Sequence, residues 1–386
     1  MKIALVSTTL GRILRGMESF TDSLFAAFRQ MAPELDVTLF MGGGQRSERR
    51  IVVPNLHKHD VPARWLNDVD SDRLQNRSFA LSLYPLLRMG AYDIVHYNEV
   101  VMGSALFHLR RFLGGKYKLL YCDGSLVPPL LYHHRCDVAQ MLTGPAYEEA
   151  VAFGVGEERL FLVPYGIDGN RFRPVENEAV KERVRSELGI PQDATVVLTV
   201  GMLDRKEKRI DYIIREVSGL KDSVWLLAAG FRSKETPSIE AEAKQLLPGR
   251  CQFISWPHAQ VHRLYHSADV FVLASMKEAF GLVTVEAMLS GLPVIIHNSP
   301  VFKWIAAGTS ARVIDMSLEG ELRRVLKETL SQNGHTSSRE EAVRRFSWEV
   351  ILPDYIKMYE KVADATPASK TSREDRMISF SESDLR

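Results

Sequence analysis

The chain has 386 residues, of which 45% are hydrophobic and 25% charged, with a formal net charge of +1. This length holds two domains of ordinary size, and the composition excludes a disordered or fibrous chain. So even a charge balance argues against a nucleic-acid partner.

Short apolar runs alternate with helical patterns along most of the chain, the mark of an α/β protein with doubly wound parallel sheets. Residues 2–7 read as a first strand. Phe20, Leu24, Ala27, Phe28 and Met31 then recur at helical spacing. Strands are expected at 37–40, 93–97 and 118–122, with helices over 73–89 and 102–112. A strand at 138–142, a helix at 145–153 and a strand at 160–163 complete a first unit. From Tyr165 to Glu178 the period is lost, and Gly166, Gly169 and Pro174 mark a linker. The alternation then restarts. Strands are expected at 195–200, 224–228, 251–254, 270–274 and 293–296, and helices at 209–217, 239–247, 261–266 and 282–289. Segments 319–330 and 347–362 are helical in pattern. The segment 363–386 is polar or small with little apolar periodicity and reads as a mobile tail. Each half therefore reads as a Rossmann-like unit, 1–165 and 166–347, and a nucleotide would settle beyond the carboxyl ends of the strands.

Cys122, Cys136 and Cys251 form no Cys-x-x-Cys pair, and no histidine cluster has zinc-finger spacing. Reduced thiols and a cytoplasmic setting are expected, with Cys122 and Cys251 buried in apolar runs. The opening Met-Lys-Ile-Ala-Leu-Val-Ser reads as a buried strand, not a secretory signal. No stretch approaches the ~20 apolar residues of a bilayer span. Peripheral contact at the inner face of a membrane stays open, because an interfacial helix needs no spanning segment. His57, His59, His133 and His134 are adjacent or two apart, which does not converge on one helix face, so no metal site is expected.

The densest chemical signal is Glu278-Ala-Phe-Gly-Leu-Val-Thr-Val-Glu286. It follows the strand at 270–274 and a turn at Ser275-Met-Lys277. Gly281 lets backbone approach a ligand closely, and a helix opening there turns free N–H groups toward the strand ends, where a phosphate is held. Glu278 then stands above those donors, able to meet sugar hydroxyls. Glu286, one turn into the helix, could accept from a ribose diol.

Ser275, Glu278-Ala-Phe-Gly281, Glu286-Ala-Met288 and Gly291-Leu-Pro-Val294 resemble, in order, the signature of glycosyltransferase family 4, the retaining enzymes of the GT-B fold. The resemblance extends to Val163-Pro-Tyr-Gly-Ile-Asp168 with Phe172-Arg-Pro174, to Thr199-Val-Gly-Met-Leu-Asp204 with Lys208, to Leu264-Tyr and Ala268-Asp269, and to Phe346-Ser-Trp348. It covers residues 1 to about 362 and is looser in the first half. It implies GT-B architecture, with two facing Rossmann-like domains and a cleft between them. It also implies a helix over about 348–362 that crosses back to the first domain. The first domain would bind a carbohydrate or lipid-linked acceptor, and the second a nucleotide-diphosphate sugar. Sugar transfer for polysaccharide or glycan synthesis would need no resident cofactor and no metal.

By the same likeness, Lys208 would be the cation on the donor pyrophosphate, Glu278 would orient the sugar, and Asp123 stands where the family has a histidine near the reacting sugar. Gly16, Gly201, Phe280, Gly281, Leu282 and Glu286 would line the donor site. Met202 replaces an arginine common after that glycine, and Arg205, Lys206 or Arg209 are candidates to supply the missing charge, Arg209 standing where the family usually has glycine. The same cleft would suit a GT-B sugar-nucleotide epimerase or a phosphorylase. Met202 and Asp123 keep a third reading alive, that of an inactive nucleotide-sugar binder. His96 reads as a packed strand-end residue rather than a catalytic base.

Overall fold

The computed structural model of the chain describes residues 1–13, 15–57, 60, 66–331 and 338–364. His59 and most of the expected polar tail lie outside the described residues. The first sheet is wholly parallel, in the order β3-β2-β1-β4-β5-β6-β7. Its strands are β1 (Lys2–Ser7), β2 (Asp36–Met41), β3 (Arg50–Val52), β4 (Ile94–Tyr97), β5 (Lys118–Cys122), β6 (Val138–Met141) and β7 (Leu160–Leu162). Helices α1 (Gly16–Met31), α2 (Asp68–Gly90), α3 (Val100–Leu113) and α4 (Gly144–Phe153) connect them. These strands are nearly continuous apolar runs because helices cover both faces of the sheet.

The second sheet is also parallel, in the order β10-β9-β8-β11-β12-β13. After α5 (Glu178–Leu188) come β8 (Thr195–Val200), α6 (Ile210–Ser218), β9 (Val224–Ala229), α7 (Thr236–Leu246) and β10 (Cys251–Ile254). Then follow α8 (His262–Ser267), β11 (Val270–Leu273), α9 (Leu282–Leu289), β12 (Val294–His297), α10 (Pro300–Ala306) and β13 (Arg312–Ile314). Three helices close the chain, α11 (Glu321–Ser331), α12 (Arg339–Phe346) and α13 (Trp348–Asp364).

Several elements were not legible in the residue pattern. β3 and β13 are three-residue edge strands, too short to show a period. α5 opens at the end of the aperiodic segment because the Asn177 side chain accepts from the Val180 N–H at 3.1 Å. α2 starts five residues before the expected position for the same reason, with Asn67 accepting from the Asp70 N–H at 2.8 Å. α12 buries only Ala342 and Phe346.

The two domains are joined twice, and the crossings pair with each other. Outbound Ile167 donates its N–H to Phe346 O at 2.8 Å, and returning Trp348 donates to Ile167 O at 3.1 Å. Aromatic rings fill the space around this pair. Tyr165 stacks on Phe20 of α1 at 3.8 Å and meets Phe280 edge-on at 5.2 Å, and Phe280 meets Phe346 at 5.7 Å. α13 then lies on the first domain. Trp348 Nε1 donates to Ser23 Oγ at 2.9 Å, Gln140 Nε2 donates to the Tyr355 hydroxyl at 2.7 Å, and the Tyr359 hydroxyl bonds His96 Nδ1 at 2.8 Å. Farther out, Trp304 of α10 packs against Gly144 at the start of α4.

Among the described residues no helix is long and apolar enough to cross a membrane. Trp348 is buried at the crossing, against Phe20 and Tyr355. Trp348→Ala should therefore cost about 3–5 kcal/mol, read as a lowered midpoint of urea unfolding.

Candidate functional site

In each sheet the strand order reverses beside the first strand, at β1/β4 and at β8/β11. Such a reversal opens a crevice beyond the carboxyl ends of the strands, because the connections leave it in opposite directions. Lys208 lies on the loop leaving β8, and Glu278 on the loop leaving β11. The Asp204 carboxylate accepts from the N–H groups of Glu207 and Lys208, each at 2.8 Å, and so folds the first loop back on itself. The Lys208 stem crosses Gly201, where a Cβ would stand 3.0 Å from Lys208 Cε. Its ammonium forms an ion pair with Glu278, and each side chain is only 17% exposed. Two charges at that depth hold because each neutralises the other.

Gly281 caps α9 with φ +86°, a left-handed conformation suited to glycine, and a Cβ there would stand 3.0 Å from the Phe302 ring. The helix it opens offers first-turn N–H groups that lack intrahelical acceptors. Glu286, on the same helix, accepts from the Tyr265 hydroxyl at 2.6 Å. Burial raises its pKa, with the Tyr265 hydrogen bond and the Arg171 charge opposing the shift. Ser275 Oγ and Thr284 Oγ1 are buried with no hydrogen-bond partner among the described residues. The Leu282 side chain reaches the first domain, 3.7 Å from where a Cβ on Gly16 would stand. Gly16 itself opens α1, and Glu18 ties that turn down by accepting from the Arg15 N–H and the Thr9 hydroxyl. Lys208, Glu278, Gly201, Gly281, Leu282 and Gly16 thus meet around one cleft, with Glu286 behind them.

Three expected residues sit differently. Phe280 is 2% exposed, and its ring packs in the aromatic seam between the domains. Its side chain therefore works as packing, and only its backbone lies with the loop. Arg209 begins α6 in a left-handed conformation, φ +52°, and its guanidinium lies over Tyr212 and donates to Met316 O at 3.0 Å. The same nitrogen meets Met276 Sδ at 2.9 Å, which tethers the guanidinium at the end of β11, beside the loop that carries Glu278. Arg205 is likewise drawn away, to Glu242 at 2.7 Å and Asp211 at 3.5 Å. Lys206 is exposed, and Lys208 is the cation of this loop that pairs with Glu278.

Asp123 ends β5, with Tyr121 as its hydrogen-bond partner at 3.5 Å, and is not brought into contact with Lys208 or Glu278. Burial pushes its carboxyl up to about 7, and the nearby Glu149 charge adds to the shift while the Tyr121 hydrogen bond opposes it. His96 is buried, with its imidazole pushed down to about 3 by desolvation, so the ring is a neutral packing residue. Among the described residues no cluster of three or more metal-ligating side chains occurs.

The residue that sequence reasoning missed is Glu99, just past β4. One carboxylate oxygen accepts from the Thr8 N–H at 2.8 Å, the Thr8 hydroxyl at 3.0 Å and the Ser7 hydroxyl at 3.3 Å. It thereby ties the end of β1 to the segment that follows β4. Its position directly after a predicted strand is the signal that could have found it.

Residues 180–345 match the family of glycosyl transferases group 1. A D-inositol 3-phosphate glycosyltransferase of Xylanimonas cellulosilytica is 27% identical, over 92% of this chain and 93% of its own length. With other curated relatives the match spans less of their length, 63%, 52% and 43% in three cases. Sucrose-phosphate synthase from Thermosynechococcus elongatus superposes with a TM-score of 0.79 at 19% identity, over 95% of this chain and 100% of that one. Anabaena HepE in complex with UDP and glucose superposes at 0.72 and 15% identity, over 93% and 99%. Both share this chain's fold.

Asp123 gives the site a pH signature. In the unfolded chain its carboxyl ionises at the ordinary value of 3.8, whereas in the folded chain it holds its proton to about 7. Between those values the native state binds more protons, so Asp123 makes stability fall as pH rises through that window and then level off above 7. Asp123→Asn should flatten that part of the profile, measured as urea midpoints between pH 4 and about 8.

Proposed function

We propose that this chain, whose residues 180–345 match the glycosyl transferases group 1 and whose two domains have the GT-B fold, moves a sugar in its cleft from a nucleoside-diphosphate sugar to an acceptor with retention at the anomeric carbon. The observation that carries this reading is the Lys208–Glu278 ion pair at the β8/β11 crevice, beside the N-terminus of α9. A donor pyrophosphate takes Glu278's place at the Lys208 ammonium and accepts from the first N–H groups of α9. Glu278 is then released to accept hydrogen bonds from the sugar hydroxyls. Glu286 keeps one oxygen on Tyr265 and offers the other to the ribose diol.

The bond between the anomeric carbon and the β-phosphate oxygen breaks, and negative charge gathers on the departing phosphate. Lys208 and the helix dipole meet that charge in a half-buried site, where fixed donors act strongly. The acceptor hydroxyl oxygen bonds to the anomeric carbon on the face the phosphate leaves, and its proton passes to the departing phosphate oxygen. Asp123, in the first domain, is assigned to the acceptor side. This reading asks for no resident cofactor or metal. Closure of the domains about the paired crossings at Ile167 and Trp348 excludes water, which would otherwise compete as nucleophile.

Titration with UDP, GDP and ADP tests the donor half. One nucleotide should bind and, at 100 times its Kd, stabilise the chain by about 2.7 kcal/mol. Lys208→Ala should weaken that binding and lower kcat by roughly 10²–10³. Folded protein that binds none of the three would sink the reading. Conversion of the donor without any acceptor would point to an epimerase instead.

Membrane contact is a separate proposal, carried by the far ends of α2 and α3. Met89, Phe112 and Leu113 are 84%, 78% and 58% exposed there, beside Arg88, which donates to Leu113 O. An apolar tip with adjacent cations fits an anionic bilayer surface. Vesicles of anionic phospholipid should retain the wild type on flotation and release the variant in which Met89 and Phe112 are both changed to Ser. Equal retention of the two would remove this surface from consideration.

A further inference from the structure

The linker does more than join the domains, because one of its side chains turns toward Glu286. Asp168 Oδ1 accepts from the N–H groups of Asn170 and Arg171, each at 2.9 Å, and Phe172 donates its N–H to Asp168 O at 3.0 Å. That closed turn fixes the backbone from which the Arg171 side chain leaves. The guanidinium lies over the Phe172 ring, 5.1 Å from its centre, and donates to the His258 carbonyl in the turn after β10. Its Nε–H is buried with no hydrogen-bond partner, and no carboxylate forms an ion pair with it, among the described residues. A guanidinium has five donors and a full charge, so one carbonyl leaves most of it unanswered.

Glu286 is the carboxylate that this charge reaches. Phe172 meets Tyr265 edge-on at 5.7 Å, and the Tyr265 hydroxyl donates to Glu286 at 2.6 Å. Guanidinium, two buried rings and carboxylate thus form one series of contacts from the linker to α9. Burial raises the Glu286 carboxyl above its ordinary value, and the Tyr265 hydrogen bond and the Arg171 charge pull it back. Burial, followed by the same Arg171 charge, holds His258 and His262 below the ordinary imidazole range, so neither ring adds a rival cation.

The other charged groups around α9 are engaged elsewhere. On α8, His266 bonds Arg173 O at 3.0 Å and Arg263 pairs with Glu187. Arg339 of α12 is bonded to Leu289 O, at the far end of α9. His297 of β12 accepts from the Met316 N–H at 3.2 Å, and β11 carries no titratable side chain. Lys208 and Glu278 answer each other.

We infer that Arg171 is a positioning residue for the nucleotide: by its charge and through the Phe172–Tyr265 contacts it holds the Glu286 carboxylate ready to accept from the ribose diol. The inference rests on the proposed placement of the ribose at Glu286. One Glu286 oxygen is taken by Tyr265, so a proton on the acid would sit on the other and turn the diol's acceptor into a donor. Arg171 works against that proton. A residue of the linker thereby takes part in recognising the nucleotide without touching it.

The test uses the full chain with whichever of UDP, GDP and ADP binds, and with the 2′,3′-dideoxy form of that nucleotide, titrated by calorimetry from about pH 5 to 8. The ratio of the two affinities isolates the diol, because the phosphates titrate alike in both. At the upper pH the wild type should prefer the ribose form by about tenfold or more. The preference should disappear as pH falls and Glu286 takes up a proton. Arg171 favours the charged carboxylate, so Arg171→Gln should move this loss to higher pH by about half a unit or more. Its affinity for the dideoxy form should stay where it was. Arg171→Lys keeps a cation and should keep the wild-type midpoint, and Glu286→Gln should make the ratio independent of pH. An unmoved midpoint in Arg171→Gln, or equal weakening of both nucleotides, would overturn the inference. Should that variant not fold, a displaced midpoint in Arg171→Lys overturns it. A wild type that binds the nucleotide but never distinguishes its two forms removes the ribose placement and this inference with it. One that binds none of the three nucleotides removes the transferase reading first.

Discussion

Two parallel sheets can share a ligand only if their carboxyl edges are held face to face, and in this chain a run of aromatic rings does that. Phe280 stands edge-on between Tyr165 of the outbound crossing and Phe346 of the returning one, and Tyr165 stacks in turn on Phe20 of α1. Large rings in mutual contact bury much apolar surface and prefer such edge-to-face and offset geometries. Because Phe280 immediately precedes Gly281, the packing that joins the domains also fixes where α9 begins. The Glu278–Gly281 loop and the domain interface are therefore one piece of structure.

From that constraint the electrostatics follow. Gly281 turns the chain so that α9 points its N–H groups into the cleft, and Glu278, three residues earlier, meets Lys208 from the neighbouring crevice wall. Burying a single charge at that depth would be costly, whereas a pair is tolerated. In the proposed transfer a phosphate takes the carboxylate's place at the ammonium, and Glu278 is left to be satisfied by hydrogen bonds from the sugar hydroxyls. Arg205 and Arg209, which stand near Lys208 in sequence, bond instead to Glu242 and to Met316 O. Glutamates serve both crevices. Glu278 answers Lys208 in the second domain, and Glu99 answers the Ser7–Thr8 turn in the first.

The architecture was legible in the residues because parallel strands buried on both faces read as apolar runs, and the helices between them carry their own period. Elements that owe their existence to neighbours were not. β3 and β13 exist by pairing with β2 and β12, and α5 by an asparagine cap inside a segment that shows no apolar rhythm. The motif from Glu278 to Glu286 was legible as chemistry because its glycine, its carboxylates and the strand before it are close in sequence. Glu99 was not, since its partners Ser7 and Thr8 lie some ninety positions away and only the β1/β4 pairing brings them together.

The sequence by itself determined two doubly wound units and the strand–turn–helix that carries Glu278, Gly281 and Glu286, since each depends on local period and short spacing. Tertiary structure decided which side chains were free to act. It turned Phe280 into the aromatic seam between the domains, tethered Arg209 to a carbonyl, and set Asp123 beside Tyr121. The reason is that a side chain's chemistry is set by its burial and its partners, and both are properties of distant segments meeting in space.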